Sequence, residues 1–312
     1  MSDSAPRVWF ITGTSTGLGR AVAEVALEKG DIVVGTARRP STLDDLAQRY
    51  PKDRLLVLPL DVTRPDQVVD AFAEAARTFG RIDVVLNNAG KADVGEFEGI
   101  EDATARDLLE TNFWGAEDET LEEERDAKSG ADTLQPSSAS ARRTPPGAGG
   151  RLIQVSSLGG LVGMPACSFY CAAKFALEGA SETLAAELDP AWNIKLTPSS
   201  PSIPQRWQVT IIEPGWIRTE VAPRASWSPE HPAYNQNPAL PTTYIRKAGW
   251  DKVTVWKDAR RSAEAFYKVA CLPDPPLRVL VGKDAINATR KKIAALAANI
   301  DTFEALSEGL EE

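Results

Sequence analysis

Tyr170 and Lys174, with Ser157 thirteen residues upstream of the tyrosine, are the residue types that proton transfer to an oxygen requires. Tyr170 opens the run Tyr170-Cys171-Ala172-Ala173-Lys174 inside a segment of helical pattern. At a spacing of four, a phenol and an ammonium lie on one helical face, a turn apart. A free tyrosine titrates near pH 10, and a neighbouring ammonium favours the phenolate by about 1.4 kcal/mol for each unit of lowering. The expectation is a lowered tyrosine, acting as general acid toward a carbonyl oxygen or as base toward an alcohol. The same spacing arises by accident on amphipathic helices, so its weight rests on what precedes it. Competing chemistries find no residues. His231 is the single histidine and lies in a proline-rich stretch, which excludes a Ser-His-Asp triad. Cys167, Cys171 and Cys271 have no metal-ligand spacing, and Cys171 reads as a small packing residue.

The amino terminus offers a place for a hydride carrier. The apolar run Val8-Trp9-Phe10-Ile11 passes into Thr12-Gly13-Thr14-Ser15-Thr16-Gly17-Leu18-Gly19 and then into a segment of helical period. Strand, glycine-rich turn and helix start are the context of a dinucleotide fingerprint. Glycines let the backbone approach a pyrophosphate, and the helix start offers unpaired N–H donors. A second strand, Ile32-Val33-Val34-Gly35, ends at Thr36-Ala37-Arg38-Arg39. An NAD site would place an acid there for the ribose 2′-hydroxyl. Two arginines suit a 2′-phosphate instead, through forked charge-assisted hydrogen bonds, so NADP(H) is favoured over NAD. The bland alternative is a solvated basic turn.

The elements that must hold these residues alternate regularly. Strands fall near 8–11, 31–36, 55–60 and 82–87, helices near 18–29, 41–49 and 65–79, and further strands at 152–155, 209–212 and 277–281. This is an α/β chain with a doubly wound parallel sheet, read as one domain over residues 1–312. The helix with Tyr170 and Lys174 should run from about 168 to 188 and stop at Asp189-Pro190. Sites in such sheets lie beyond the carboxyl ends of the strands, where the named residues fall. Residues 284–310 read as an amphipathic helix that packs on the rim or on a partner subunit. A net charge of −9 argues against nucleic acid or an anionic membrane as partner. No apolar signal region or membrane-length run is present, and three unpatterned cysteines fit a reducing compartment, so the expected location is cytoplasmic.

Further motifs complete a pattern. Asp61-Val62 follows the third strand and Asn87-Asn88-Ala89-Gly90 the fourth; Thr111-Asn112-Phe113-Trp114-Gly115 and Pro214-Gly215-Trp216-Ile217-Arg218-Thr219 come later in order. Together these residues resemble the short-chain dehydrogenase/reductase family of the Thr-Gly-x-x-x-Gly-x-Gly type, across residues 8 to 220. The resemblance implies a Rossmann-like fold and an NADP(H)-dependent interconversion of a carbonyl and an alcohol. It implies that Ser157 bonds the substrate oxygen, Tyr170 transfers the proton, Lys174 holds the nicotinamide ribose and Asn112 anchors a relay water. Ser156 competes for the serine role, but the spacing to the tyrosine favours Ser157. Gly13 to Gly19 would cradle phosphates, Asp61 and Val62 contact adenine, and Asn88, Ala89 and Gly90 line the groove. Pro214, Gly215, Ile217 and Thr219 would close on the carboxamide end. Residues 216–256, rich in proline and in Trp216, Trp227, Tyr234, Tyr244, Trp250 and Trp256, should be a long irregular connection over the substrate. Its rings suit an apolar carbonyl, or else merely pin the connection to the core.

Two segments depart from the pattern. Residues 117–126 hold seven acids in ten positions, where the family continues an apolar covering helix; residues 135–150 then turn to Pro, Ser, Ala, Arg and Gly. Residues 196–208 separate Asn193-Ile194-Lys195 from Val209-Thr210, which the family joins directly. Such compositions bury too little to offset ordering entropy, so 117–150 and 196–208 read as disordered insertions, and as coding sequence foreign to the enzyme. A homo-oligomer is expected to be weakened by the first. The competing readings are a non-catalytic NADP-binding or scaffold protein of the same fold, and an inactive aberrant product.

Overall fold

The computed structural model describes residues 5–117, 150–187, 208–220, 225–249 and 256–310. In chain order the strands are β1 (Val8–Ile11), β2 (Ile32–Ala37), β3 (Leu55–Pro59), β4 (Val84–Asn87), β5 (Asp93–Val94), β6 (Arg151–Val155), β7 (Gln208–Pro214), β8 (Ser226–Trp227) and β9 (Arg278–Val281). The α-helices are α1 (Gly17–Glu28), α2 (Asp44–Arg49), α3 (Pro65–Phe79), α4 (Asp102–Leu109), α5 (Ser168–Glu187), α6 (Pro232–Asn235), α7 (Pro241–Ala248), α8 (Ala259–Ala270) and α9 (Lys283–Phe303).

Seven strands form one parallel sheet in the order β3-β2-β1-β4-β6-β7-β9. The chain winds outward from β1 to β3, then returns to β4 on the other side of β1. That reversal makes the gap between β1 and β4 the place where a doubly wound sheet opens a crevice. Both faces are covered, so the strands are continuous apolar runs. Along β1, Trp9 and Ile11 join one core with Val22 and Val25 of α1 and Phe266 of α8. Val8 and Phe10 point the other way, into a core with Val68 and Phe72 of α3 and Ala185 of α5. The period of two thus sends one short strand into two cores.

The doubly wound parallel sheet and most element bounds stand where the sequence pattern puts them. Residues 216–256 differ from expectation, because their described part carries regular structure. β8 pairs in parallel with β5, and α6 and α7 follow. The buried Glu96 carboxylate accepts from the Arg246 guanidinium at 2.7 and 2.5 Å, which fastens α7 to the segment after β5. This tie joins residues 150 apart in sequence, a contact that local pattern does not signal. Helix α8, which fills one face beside α1, was likewise absent from the sequence reading. Apart from their end residues Glu117, Gly150 and Gln208, the segments 117–150 and 196–208 lie outside the described residues, as does Trp250.

Phe10 is fully buried and stacks on Phe72 with centroids 4.1 Å apart. Phe10→Ala should lower unfolding stability by about 3–5 kcal/mol, through lost transfer energy and the cavity left behind. Urea titration of both proteins checks this; a loss below about 1 kcal/mol would show that the sheet face collapses to fill the gap.

Candidate active site

The crevice is lined first by the turn from β1 to α1. Gly13 and Gly17 have φ of +68° and +65°, a region that side chains avoid. A Cβ on Gly19 would stand 2.3 Å from Nδ2 of Asn88 and 2.6 Å from the Gly13 carbonyl, so only glycine lets helix and turn close this tightly. The Thr16 side chain does not cap α1, which leaves the first turn of N–H groups directed at the crevice. Thr14 is bonded away from it, its hydroxyl and amide both donating to the Thr36 carbonyl at 2.9 Å. Shape and donors fit a dinucleotide pyrophosphate.

The end of β4 is locked to the same turn. The Asn88 carboxamide donates to the Thr12 carbonyl at 2.8 Å, and the Thr12 hydroxyl accepts from the amides of Asn88 and Ala89 at 3.0 Å. Thr219, after β7, comes over Gly17. Gly215 abuts the Asp284 carboxylate, which accepts from the Trp216 amide at 2.9 Å and pairs with Lys257. Ile217 bridges to Lys257. Val62 is buried against Gly115, and Asp61 accepts from the Thr63 amide and hydroxyl at 3.1 and 2.8 Å. At the end of β2, Arg38 and Arg39 are exposed, and among the described residues neither forms an ion pair. Nearby Arg20 and Arg49, by contrast, are engaged by Glu24.

Tyr170 and Lys174 stand a turn apart on α5, behind the ends of β6 and β4. The Ser157 side chain lies beside the half-buried Tyr170 phenol and accepts from the Gly159 amide at 3.1 Å. Ser156 is ruled out of that place, since its hydroxyl is buried and donates to Glu178 at 2.5 Å. The expected lowering of the tyrosine is not what the geometry produces. Burial pushes the phenol up to about 12, with Ser157 opposing. The reason is where the ammonium goes: Lys174 Nζ donates to the Val155 carbonyl at 2.7 Å. Desolvation brings Lys174 itself down to about 8, against the pull of Glu178. Asn112 sits in a π-helical turn, Glu110–Trp114, that continues α4. Both ends of its carboxamide engage the Lys91 backbone, accepting from the amide at 2.9 Å and donating to the carbonyl at 2.8 Å. Cys171 packs under the site, its sulfur accepting from the Met164 amide at 3.4 Å, with burial raising the thiol.

Comparison with known proteins agrees with this arrangement. The family described as Enoyl-(Acyl carrier protein) reductase matches residues 13–239. An uncharacterized oxidoreductase of Schizosaccharomyces pombe is 34% identical over 96% of this chain and 89% of its own. The chain belongs to the short-chain dehydrogenase/reductase family of oxidoreductases. A 3-ketodihydrosphingosine reductase of Bacteroides thetaiotaomicron is 30% identical over 89% of this chain and 88% of its own. The crystal structure of a short-chain dehydrogenase from Streptomyces avermitilis superposes with a TM-score of 0.79 at 31% identity, covering 100% of both chains. One from Burkholderia cenocepacia in complex with NADP shares the fold, with a TM-score of 0.66 at 22% identity and coverage of 95% and 97%.

Beneath the face of this oxidoreductase that carries Ser157, Tyr170 and Lys174 lies a charged cluster that the sequence reading missed. Arg278, on the edge strand β9, donates to Glu178 at 2.7 Å and to Glu213 at 2.6 Å, and pairs with Glu182. Glu178 also takes the Ser156 hydroxyl and lies one turn beyond Lys174, so the cluster supports both serine and lysine from behind. The one available signal was Glu178 itself, an acid four residues after Lys174 on the helical face that also carries Cys171, Leu177 and Ala185. Its partners come from distant strands. Burial, with the Glu178 carboxylate adding repulsion, pushes Glu213 up to about 7 against the pull of Arg278. Between the ordinary carboxylate value of 4.5 and about 7, the folded protein then holds a proton that the unfolded chain releases. Stability from this group is therefore greatest below that window and falls as pH rises through it. Relative to Glu213→Gln, the wild-type chain should lose about 1–3 kcal/mol between the two limits. Urea unfolding of both at a series of pH values measures the difference, and parallel curves would show Glu213 ionised throughout.

Proposed function

We propose that this oxidoreductase interconverts a carbonyl and its alcohol with NADP(H), using Tyr170 as general acid and base. The observation that carries this is Ser157 beside the Tyr170 phenol, with Lys174 one turn on, at the mouth of the glycine-lined crevice. The nicotinamide, when bound, supplies or takes up the hydride at the substrate carbon. In the reductive direction the Tyr170 hydroxyl gives its proton to the substrate oxygen while Ser157 donates a hydrogen bond to the same atom. The phenol is protonated at neutral pH and so holds the proton to give, while burial moves it away from the value at which transfer is easiest. Lys174 keeps positive charge close to the oxygen that gains electron density. Asn112 holds the backbone of Lys91, just past Gly90, and so fixes the floor of the crevice.

Arg38 and Arg39 favour the 2′-phosphate, since two cations without an ion-pair partner among the described residues stand where the second ribose would lie. Arg38→Ala and Arg39→Ala should each weaken NADPH binding by about tenfold while leaving NADH within about twofold. Fluorescence titration with both nucleotides decides it, and equal losses for the two would make these arginines general phosphate contacts.

An apolar substrate agrees with the rings around the mouth. Phe97 is exposed and stacks on Phe169, the residue before Tyr170, with centroids 5.2 Å apart; Tyr244 is exposed nearby in sequence to the Arg246 tie. The Bacteroides relative bears the name of a reductase of a 3-keto compound, which is consistent with ketone reduction. Tyr170→Phe should cut kcat on a ketone and aldehyde panel by about 10²–10⁴ with NADPH binding unchanged. Full turnover by that variant, or turnover confined to a 2-enoyl thioester, would overturn the carbonyl assignment.

A further inference from the structure

We propose that α9 is a self-association element, which pairs two copies of this chain through an antiparallel contact of their carboxy-terminal helices. The helix begins on the body, where Ala285 and Thr289 are buried next to β9. From Arg290 to Leu310 every residue is exposed. The remaining stretch to Phe303 therefore stands off the body by about 20 Å, at 1.5 Å per residue. A helix of that length with no packing against it is marginal in water. Its composition is also wrong for a free helix. Ile293, Leu296, Ile300 and Phe303 are 60%, 49%, 65% and 59% exposed, and Leu306 and Leu310 follow just past the helix end.

The spacing of these residues is that of a helix–helix seam. Ile286, Ile293 and Ile300 recur every seven residues, and Thr289, Leu296 and Phe303 occupy the intervening positions at steps of three and four. The first pair of this stripe serves the protomer itself, through Thr289. The same stripe then continues beyond the edge of the body with nothing against it among the described residues. Ala294, Ala295, Ala297 and Ala298 flank it and would let a second helix come close.

Charge selects the occupant. Arg290, Lys291 and Lys292 open the projecting stretch, and Asp301, Glu304 and Glu308 close it. That polarity leaves acids by the negative end of the helix dipole, where they are unfavourable without outside compensation. A second copy running antiparallel provides it. With the two-fold axis near Ala298, Ile293 meets Phe303, Leu296 meets Ile300, and Arg290 of one copy lies beside Glu304 of the other, each contact made twice. A parallel pair would set like charges together and drive the two bodies into each other. An anionic membrane surface is disfavoured by the acids at the distal end and by the net charge of −9.

The seam is short, so the association should be weak and concentration-dependent. Sedimentation equilibrium of the full chain from about 1 to 100 µM should show a monomer–dimer equilibrium in that range. Ile300→Asp should abolish it, with the far-ultraviolet circular dichroism of the body retained. Arg290→Glu and Glu304→Arg should each weaken the dimer about tenfold or more. The double swap Arg290→Glu/Glu304→Arg should restore it, which a merely destabilised helix would not do. A chain that stays monomeric throughout would overturn the proposal, as would a dimer indifferent to Ile300→Asp. So would a monomer that sediments with phosphatidylcholine/phosphatidylserine vesicles and is released by Ile300→Asp, which would reassign the stripe to a lipid surface.

Discussion

The junction between the carboxyl ends of β1 and β4 is the constraint on which the rest of the molecule depends. A doubly wound sheet splits at this point because the helices following the two strands go to opposite faces. The split exposes backbone that must be held without filling the crevice. Thr12 and Asn88 do this by reciprocal bonds between side chain and main chain, at 2.8 to 3.0 Å. Gly13 and Gly19 allow the approach. The same junction fixes α1, and α1 with α8 caps one core. On the other side, Ala89 and Gly90 lead to Lys91, whose backbone Asn112 grips from the π turn. Both sides of the crevice thus hang from one set of short polar contacts.

The face that carries Ser157, Tyr170 and Lys174 is supported from behind by charge rather than by apolar packing alone. Ser156 and Ser157 are neighbours on an extended segment, so their side chains point opposite ways. One reaches down to Glu178, the other out to Tyr170. Arg278 ties Glu178 to Glu213 and so links α5, β7 and β9 under the site. Buried acids this close are costly unless a cation satisfies them, and Arg278 faces two, Glu178 and Glu213, besides the exposed Glu182. The arrangement holds Lys174 in a desolvated slot where its ammonium bonds the Val155 carbonyl instead of the phenol. Proximity in sequence and proximity of charge are therefore different things in this helix.

Much of the fold was legible in the sequence because its signals are local. Continuous apolar runs of four to six residues, glycines at a strand-to-helix turn and Pro at the start of α3 mark elements by short-range chemistry. That Tyr170 and Lys174 share a helical face, and that Ser156 and Ser157 point opposite ways, was legible for the same reason, since helical and extended periods fix which way neighbouring side chains point. The parallel pairing of β5 with β8, the Glu96–Arg246 tie and the Arg278 cluster were not. Each joins residues from remote parts of the chain, and a charged residue in sequence carries no mark of whether it will be solvated or buried.

The sequence by itself determined the doubly wound α/β class, the main parallel strands and the glycine-rich turn at the sheet's reversal point. Only the tertiary structure decided the electrostatics of the site residues. Burial of Tyr170 and Lys174, and the carbonyl that captures the ammonium, move both groups against the direction that their spacing alone suggests. The same holds for the carboxy-terminal helix. Its heptad stripe is visible in the letters, but whether a stripe faces its own core or open solvent depends on where the body ends. The physical reason is common to both cases. Residue type and period set what a side chain can do, while the free energy of its charge or apolar surface is set by neighbours brought from elsewhere in the chain.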